Sequence, residues 1–304
     1  MKEVYEKQVE LLLDVIEIAL QDKRVALKGG TAINLFHRNF PRYSVDLDLC
    51  YLPLEDRKTT FLNIHAILKK VISDVENNFP YRVRPSCPLN GQKEAKLYVT
   101  NKDIEIKIEP NFTLRGSLFN PENKTLVEAA ASHFRRETTI KCLSMADTYG
   151  GKLCAALDRQ HPRDFFDVKY LFENEGITDE IKDSFLFYLI SSNRPIDEIL
   201  RPKRKDFSFE YEKQFKDMSQ VTVSIDELRE TRENLIKSII EKLNDSDKEF
   251  LKSFVSGRPD WSLVKYPKIK DYPSIKWKLL NQEKMNPDAK RDYIERIDNL
   301  CEKY

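Results

Sequence analysis

Two neighbouring stretches, Val25-Ala-Leu-Lys-Gly-Gly-Thr-Ala-Ile-Asn-Leu35 and Arg42-Tyr-Ser-Val-Asp-Leu-Asp-Leu49, decide how the chain is read. Val25 to Leu27 is a short apolar run, the pattern of a buried strand. It breaks at Lys28-Gly29-Gly30, and a helical run from Thr31 to Arg38 follows. A second strand, Val45 to Tyr51, carries Asp46 and Asp48. Side chains two apart on a strand point to the same face, so these carboxylates stand side by side. Like charges that close are costly unless a cation neutralises them, and a divalent metal is the usual partner. Glycines before a helix N-terminus let a phosphate reach bare backbone N–H groups. A phosphate cradle followed by a metal-binding acid pair is what phosphoryl or nucleotidyl transfer requires.

Outward from this unit, the composition sets bounds. The chain has 304 residues, 40% apolar and 33% charged, with a formal net charge of +1. That length suits one large domain or two ordinary ones. The balanced charge gives no global attraction to nucleic acid, so any basic footprint has to be local. Five cysteines without CxxC spacing and only four histidines argue for reduced, packing thiols and against a zinc site. A charged amphipathic N-terminus and the lack of any apolar run of about 20 residues predict a cytoplasmic protein without signal peptide or membrane span.

Along the chain, residues 2–21 have the spacing of an amphipathic helix, and residues 55–78 a second one ended by Pro80. Tyr81–Arg84 and Lys96–Thr100 read as strands. Asp103 to Glu109 alternates, with Ile104, Ile106 and Ile108 on one face and Asp103, Glu105, Lys107 and Glu109 on the other. On its own, that polar face is ordinary solvent exposure. Following an Asp-x-Asp strand, it offers Glu109 or Glu105 as a third acidic group, a metal ligand or a general base. Residues 110–140 read as a polar loop.

From Ser144 onward the pattern is helical. Gly150-Gly151 lies inside the first of these helices and marks close packing or close ligand approach. Lys152 follows, a solvated lysine by default and a triphosphate contact on the sharper reading. Pro162 starts the next helix, which places Asp164 and Asp167 on one face. His161 reads as a loop or capping residue. Arg159 and Arg163 suit either a phosphate clamp or ion pairs with Asp158, Asp164 or Asp167. Helices are expected at 179–191, 195–200, 224–243, 246–255, 274–282 and 287–302, with Trp261 and Trp277 in their core. The predicted architecture is mixed α/β, with a sheet and flanking helices over residues 1–140 and a helical domain over 141–304.

Lys28-Gly-Gly-Thr-Ala-Ile-Asn-Leu35, Arg42-x-Ser44-x-Asp46-Leu-Asp48-Leu49, Ile106-Lys-Ile-Glu-Pro110, Gly151-Lys152 and Pro162-Arg-Asp-x-x-Asp167 resemble the nucleotidyltransferase toxins of the AbiEii/AbiGii family. These are the toxin halves of type IV toxin–antitoxin and phage-abortive systems, within the DNA polymerase β-like superfamily. Gly257-Arg-Pro-Asp-Trp-Ser-Leu263 to Leu279 resembles the same family's C-terminal part. The resemblance implies a nucleotidyltransferase-type mixed sheet and a metal-dependent reaction that moves a nucleoside monophosphate from an NTP to an acceptor hydroxyl. It implies Asp46 and Asp48, with Glu109, as ligands of Mg²⁺ or Mn²⁺. It implies Gly29, Gly30, Thr31, Ser44 and Lys152 at the nucleotide, and Asp164, Asp167 or Glu109 as base. The superfamily often has Gly-Ser at the turn, whereas here Thr31 follows the glycines and Ser44 comes later, so both hydroxyls are candidates. The implied partners are an NTP, a tRNA 3′ end as acceptor for some relatives, and an antitoxin encoded nearby. The resulting expectation is an active site in a cleft between the two halves. Two rivals stand beside it: a small-molecule nucleotidyltransferase of the aminoglycoside-modifying type, and an NTP-binding module without transfer activity.

Overall fold

The strand that carries Asp46 and Asp48 lies at the centre of a seven-stranded mixed sheet. The structure, a computed structural model, describes residues 2–302. The strands are β1 (Val25–Lys28), β2 (Asp46–Tyr51), β3 (Arg82–Pro85), β4 (Leu97–Asn101), β5 (Ile104–Asn111), β6 (Glu122–Thr125) and β7 (Thr139–Cys142), in spatial order β3-β4-β5-β2-β1-β7-β6. The β1/β2, β3/β4, β4/β5 and β6/β7 pairs are antiparallel, whereas β2/β5 and β1/β7 are parallel.

Alternation explains the faces. Leu27, Leu47, Leu49, Leu97, Val99, Ile106 and Ile108 are fully or almost fully buried. They form a core with α1 (Lys2–Ala19) and α3 (Arg57–Asn78), whose inward residues include Leu12, Ile16, Phe61, Ile64, Leu68 and Val71. Asp56 caps α3 by accepting from the N–H of Thr59 (3.0 Å). The opposite face carries half-buried polar residues, Lys28, Asp46, Asp48, Lys107 and Glu109, beside a small buried apolar cluster of Ala26 and Cys50.

The turn after β1 departs from the expected helix. The backbone enters α2 (Gly29–Ala32) directly at the glycines, then widens to a π turn over Ile33–His37 closed by Arg38 N–H donating to the carbonyl of Ile33 (2.7 Å). Residues 110–140 are not a loop throughout: β6, α4 (Glu128–Phe134) and β7 lie there. Four-residue strands carry too few positions for alternation to show. β6, Glu-Asn-Lys-Thr, is a polar edge strand, and its composition imitates a loop.

The chain divides into two compact units: residues 1–148 with 213–222, and residues 149–212 with 223–304. The sequence reading placed a single boundary at 140/141. The return segment holds Met218, which is buried in the sheet unit's core. The N–H of Tyr43 donates to the carbonyl of Met218 (2.8 Å), and that of Gln220 to the carbonyl of Pro41 (2.9 Å).

The second unit is helical. It contains most of α5 (Met145–Arg159), then α6 (Pro162–Glu173), α7 (Asp179–Ser191), α8 (Ile196–Leu200), the short α9 (Ser208–Glu210), α10 (Ile225–Lys242), α11 (Asp245–Val255), α12 (Pro273–Glu283) and α13 (Pro287–Glu302). Pairs α6/α10, α7/α12 and α11/α13 pack together, and Phe165, Phe166, Phe185, Phe187, Phe250 and Phe254 are buried there. Gly150 and Gly151 mark close packing. A Cβ on Gly150 would lie 2.7 Å from the backbone of Ser184, and one on Gly151 would lie 3.3 Å from the Tyr188 ring. Trp261, expected in the core, is half-buried and packs on Phe250 (5.5 Å between centroids). Trp277 does not: it is 54% exposed. Cys50, Cys142 and Cys154 are free and buried, and burial pushes their thiols up to about 11, 12 and 12, which suits packing. No helix among the described residues is long and apolar enough to cross a membrane.

Candidate active site

The sheet register assembles the first group of candidate residues. Asp46 stands opposite Lys107 and Asp48 opposite Glu109 on β5, while Lys28 stands opposite Asp48 on β1. Cross-strand partners share a face, so Lys28, Asp46, Asp48, Lys107 and Glu109 project from the polar side of three adjacent strands. All five are half-buried. Glu105 lies further along β5, opposite Thr100, and is exposed.

The glycine turn abuts this group. Gly29 has φ +72°, and a Cβ there would collide with the Asp48 carboxylate. Only glycine meets both demands without strain. At Gly30, a Cβ would lie 2.9 Å from both Arg42 Nη2 and Ser44 Oγ. Thr31 Oγ1 donates to the carbonyl of Asp46 (2.5 Å) and stands 3.0 Å from Ser44 Oγ. The two candidate hydroxyls therefore belong to one cluster, with Thr31 committed to the backbone of β2. Asn34 Nδ2 donates to the carbonyl of Gly30 (2.9 Å) and fixes the turn from within the helix.

Two carboxylates from one strand, completed by phosphate oxygens, form a donor set that suits Mg²⁺. Glu109 is engaged elsewhere: its Oε1 accepts from Lys96 Nζ (2.9 Å), and that carboxylate holds the Lys96 ammonium above its ordinary pKa. Among the described residues, no three acidic, histidine or cysteine side chains form a metal cage by themselves.

Sequence reasoning missed two basic residues here. Lys28 and Arg42 were each read only as part of a motif, with no role of their own. Arg42 is 3% exposed, and its Nη1 donates to the carbonyl of Tyr43 (2.9 Å). The signal for Arg42 was present in its spacing to Ser44. For Lys28 the signal is the strand register, which sequence does not display.

The second group lies in the helical unit. Lys152 on α5 is 6% exposed; its Nζ lies 2.8 Å from Asp164 Oδ1 and 2.9 Å from Asp167 Oδ2, both on α6. Arg159, at the end of α5, donates to both oxygens of Asp164 (2.5 and 2.8 Å). Asp164 and Asp167 face the same way because they lie three apart on a helix. Burial alone would raise the carboxyl pKa of Asp164. The Lys152 ammonium and the Arg159 guanidinium outweigh it and hold Asp164 well below the usual carboxylate range. The open choice for Arg159 thus resolves to an ion pair within the helical unit. His161 caps α6, its Nδ1 accepting from the N–H of Arg163 (3.2 Å).

The comparisons with known proteins bear on this arrangement. Residues 10–281 match the family model described as nucleotidyl transferase AbiEii toxin, type IV toxin–antitoxin system. The fold is similar to MenT4, a nucleotidyltransferase toxin from Mycobacterium tuberculosis H37Rv. The TM-score is 0.62, the identity 13%, and the match covers 92% of this chain and 93% of that one. Among curated protein sequences no match is found. With nine-tenths of its length matched by the family model and its glycine turn set against an Asp-x-Asp strand, the chain belongs to the AbiEii nucleotidyltransferase toxins of type IV toxin–antitoxin systems.

Proposed function

We propose that the protein transfers a nucleoside monophosphate from an NTP to an acceptor hydroxyl, releases pyrophosphate, and depends on Mg²⁺ or Mn²⁺. The observation that carries this reading is the apposition of Gly29 and Asp48: the backbone that would cradle phosphate touches the carboxylate that would hold the metal. In the reaction, the acceptor oxygen bonds to the α-phosphorus, the bridging bond to the β-phosphate breaks, pyrophosphate leaves, and the hydroxyl proton passes to solvent or a base. Asp46 and Asp48 would hold the metal, which when bound stabilises negative charge on the phosphates. Gly30, with Ser44 beside it, would receive the β- and γ-phosphates through backbone N–H groups and a hydroxyl. Lys152 is assigned to the triphosphate, with Asp164 and Asp167 holding its Nζ in place. A carboxylate held as strongly ionised as Asp164 has little proton affinity, which favours this anchoring role over that of general base.

The family implies a cognate antitoxin, and the acceptor we propose is a tRNA 3′ end. Each α-labelled NTP is incubated with total RNA and Mg²⁺. The expected outcome is labelled RNA from the wild type and none from Asp48→Ala, with the far-ultraviolet circular dichroism of the variant unchanged. Transfer that persists in EDTA, or in Asp48→Ala, would sink the reading.

A further inference from the structure

The lysines of the sheet unit single out one residue. Five of them are half-buried: Lys28, Lys96, Lys107, Lys124 and Lys141. Lys96 pairs with Glu109 (2.9 Å) and Lys124 with Glu122 (2.7 Å), while Lys141 donates to the carbonyl of Lys23 (2.9 Å). The ammonium groups of Lys28 and Lys107 make no hydrogen bond or ion pair with any described residue. These two are the lysines that the register sets directly across from Asp48 and Asp46. Holding a long cationic side chain half out of water without a partner has a desolvation cost. Elsewhere in this unit the same cost is offset by a fixed acceptor. Lys107 belongs to the motif already noted on β5, but Lys28 has no assigned part.

We propose that Lys28 is a phosphate-binding residue of the active site, holding the β,γ end of the NTP and the pyrophosphate that leaves. This rests on the nucleotidyltransferase reading. The position favours it on two counts. Lys28 is the last residue of β1 and directly precedes Gly29-Gly30, so its side chain starts beside the backbone N–H groups that would meet the same phosphates. Across the strand, Asp48 is a proposed metal ligand, so an NTP drawn to that metal arrives within the span of a lysine. A triphosphate with its metal on two carboxylates leaves negative charge uncancelled, and a point cation on a flexible stem suits a group that must later depart.

Binding measurements separate this role from simple charge balance against Asp48. Calorimetric titrations of the full chain in Mg²⁺ use each NTP, the matching NMP, and inorganic pyrophosphate, for the wild type, Lys28→Met and Lys28→Arg. The expected result is that Lys28→Met weakens NTP and pyrophosphate binding by about tenfold or more, the size of one lost charge-assisted hydrogen bond, and leaves NMP unchanged. Lys28→Arg retains both. Unaltered NTP and pyrophosphate affinity in Lys28→Met, or an equal loss for NMP, overturns the proposal while leaving the function standing. A wild type that binds no NTP overturns both. Should Lys28→Met not fold, Lys28→Gln, which keeps the polar stem, replaces it under the same criteria.

Discussion

Gly29 shows how much one residue carries. Its left-handed backbone turns the chain from β1 into α2, and its missing side chain makes room for the Asp48 carboxylate. Gly29→Ala violates both conditions. It is expected to destabilise the sheet unit by about 1–2 kcal/mol from backbone strain alone, and to displace Asp48 further. Urea denaturation reads the first effect, and loss of Mg²⁺-dependent NTP binding reads the second. A variant as stable as the wild type, with intact binding, would show that the turn is not required in this form. Adjacent residues thus serve the site by different means: Lys28 is assigned to the phosphates through its charge, and Gly29 admits the Asp48 carboxylate through absence of bulk.

At the scale of elements, the helices α5 and α6 are joined by ions rather than by packing alone. Asp164 is fully buried and takes hydrogen bonds from Lys152 and Arg159. Removing its charge strands the Lys152 ammonium with Asp167 alone, and breaking such a buried pair costs about 3 kcal/mol or more. Asp164→Asn is therefore expected to lower the denaturation midpoint markedly at neutral pH. The pH dependence has a definite sign. The folded pKa of Asp164 lies below its unfolded value of about 3.9, so its stabilisation is fully present at neutral pH. It is lost as pH falls below that unfolded value toward the lowered folded one. The gap between wild type and Asp164→Asn should accordingly narrow on acidification, and a gap constant from pH 7 to pH 3 would contradict the assignment.

At the scale of the whole molecule, sequence order and spatial membership part company. Residues 213–222 follow α5 to α9 of the helical unit yet belong to the sheet unit, where Met218 joins the core and pairs its backbone with Tyr43. Tyr43 lies between Arg42 and Ser44, so this return segment borders the loop that leads into Asp46. Met218→Ala leaves a cavity in that core and is expected to cost about 2–5 kcal/mol. Amide hydrogen exchange should place the loss of protection in β1, β2 and residues 41–44. Protection lost only among α6 to α13 would refute the placement.

Much of this was legible in sequence, for identifiable reasons. Asp46 and Asp48 share a face because a strand repeats every two residues, and Asp164 and Asp167 share one because a helix nearly repeats every three or four. Ser144 and His161 act at helix starts, where side-chain chemistry is local. These readings need only neighbours along the chain. Which strands pair, and in what register, depends on free energy summed over contacts far apart in sequence. Hence the short strands β6 and β7 passed for loop, Trp277 was placed in a core it does not enter, and the pairing of Glu109 with Lys96 went unforeseen. By itself, the sequence determined the family motifs, the acid pair and the glycine turn, because periodicity and backbone sterics are local. Only the tertiary structure decided that Lys28 faces Asp48, that Arg159 serves Asp164, and that residues 213–222 return to the sheet, because each depends on packing between distant segments.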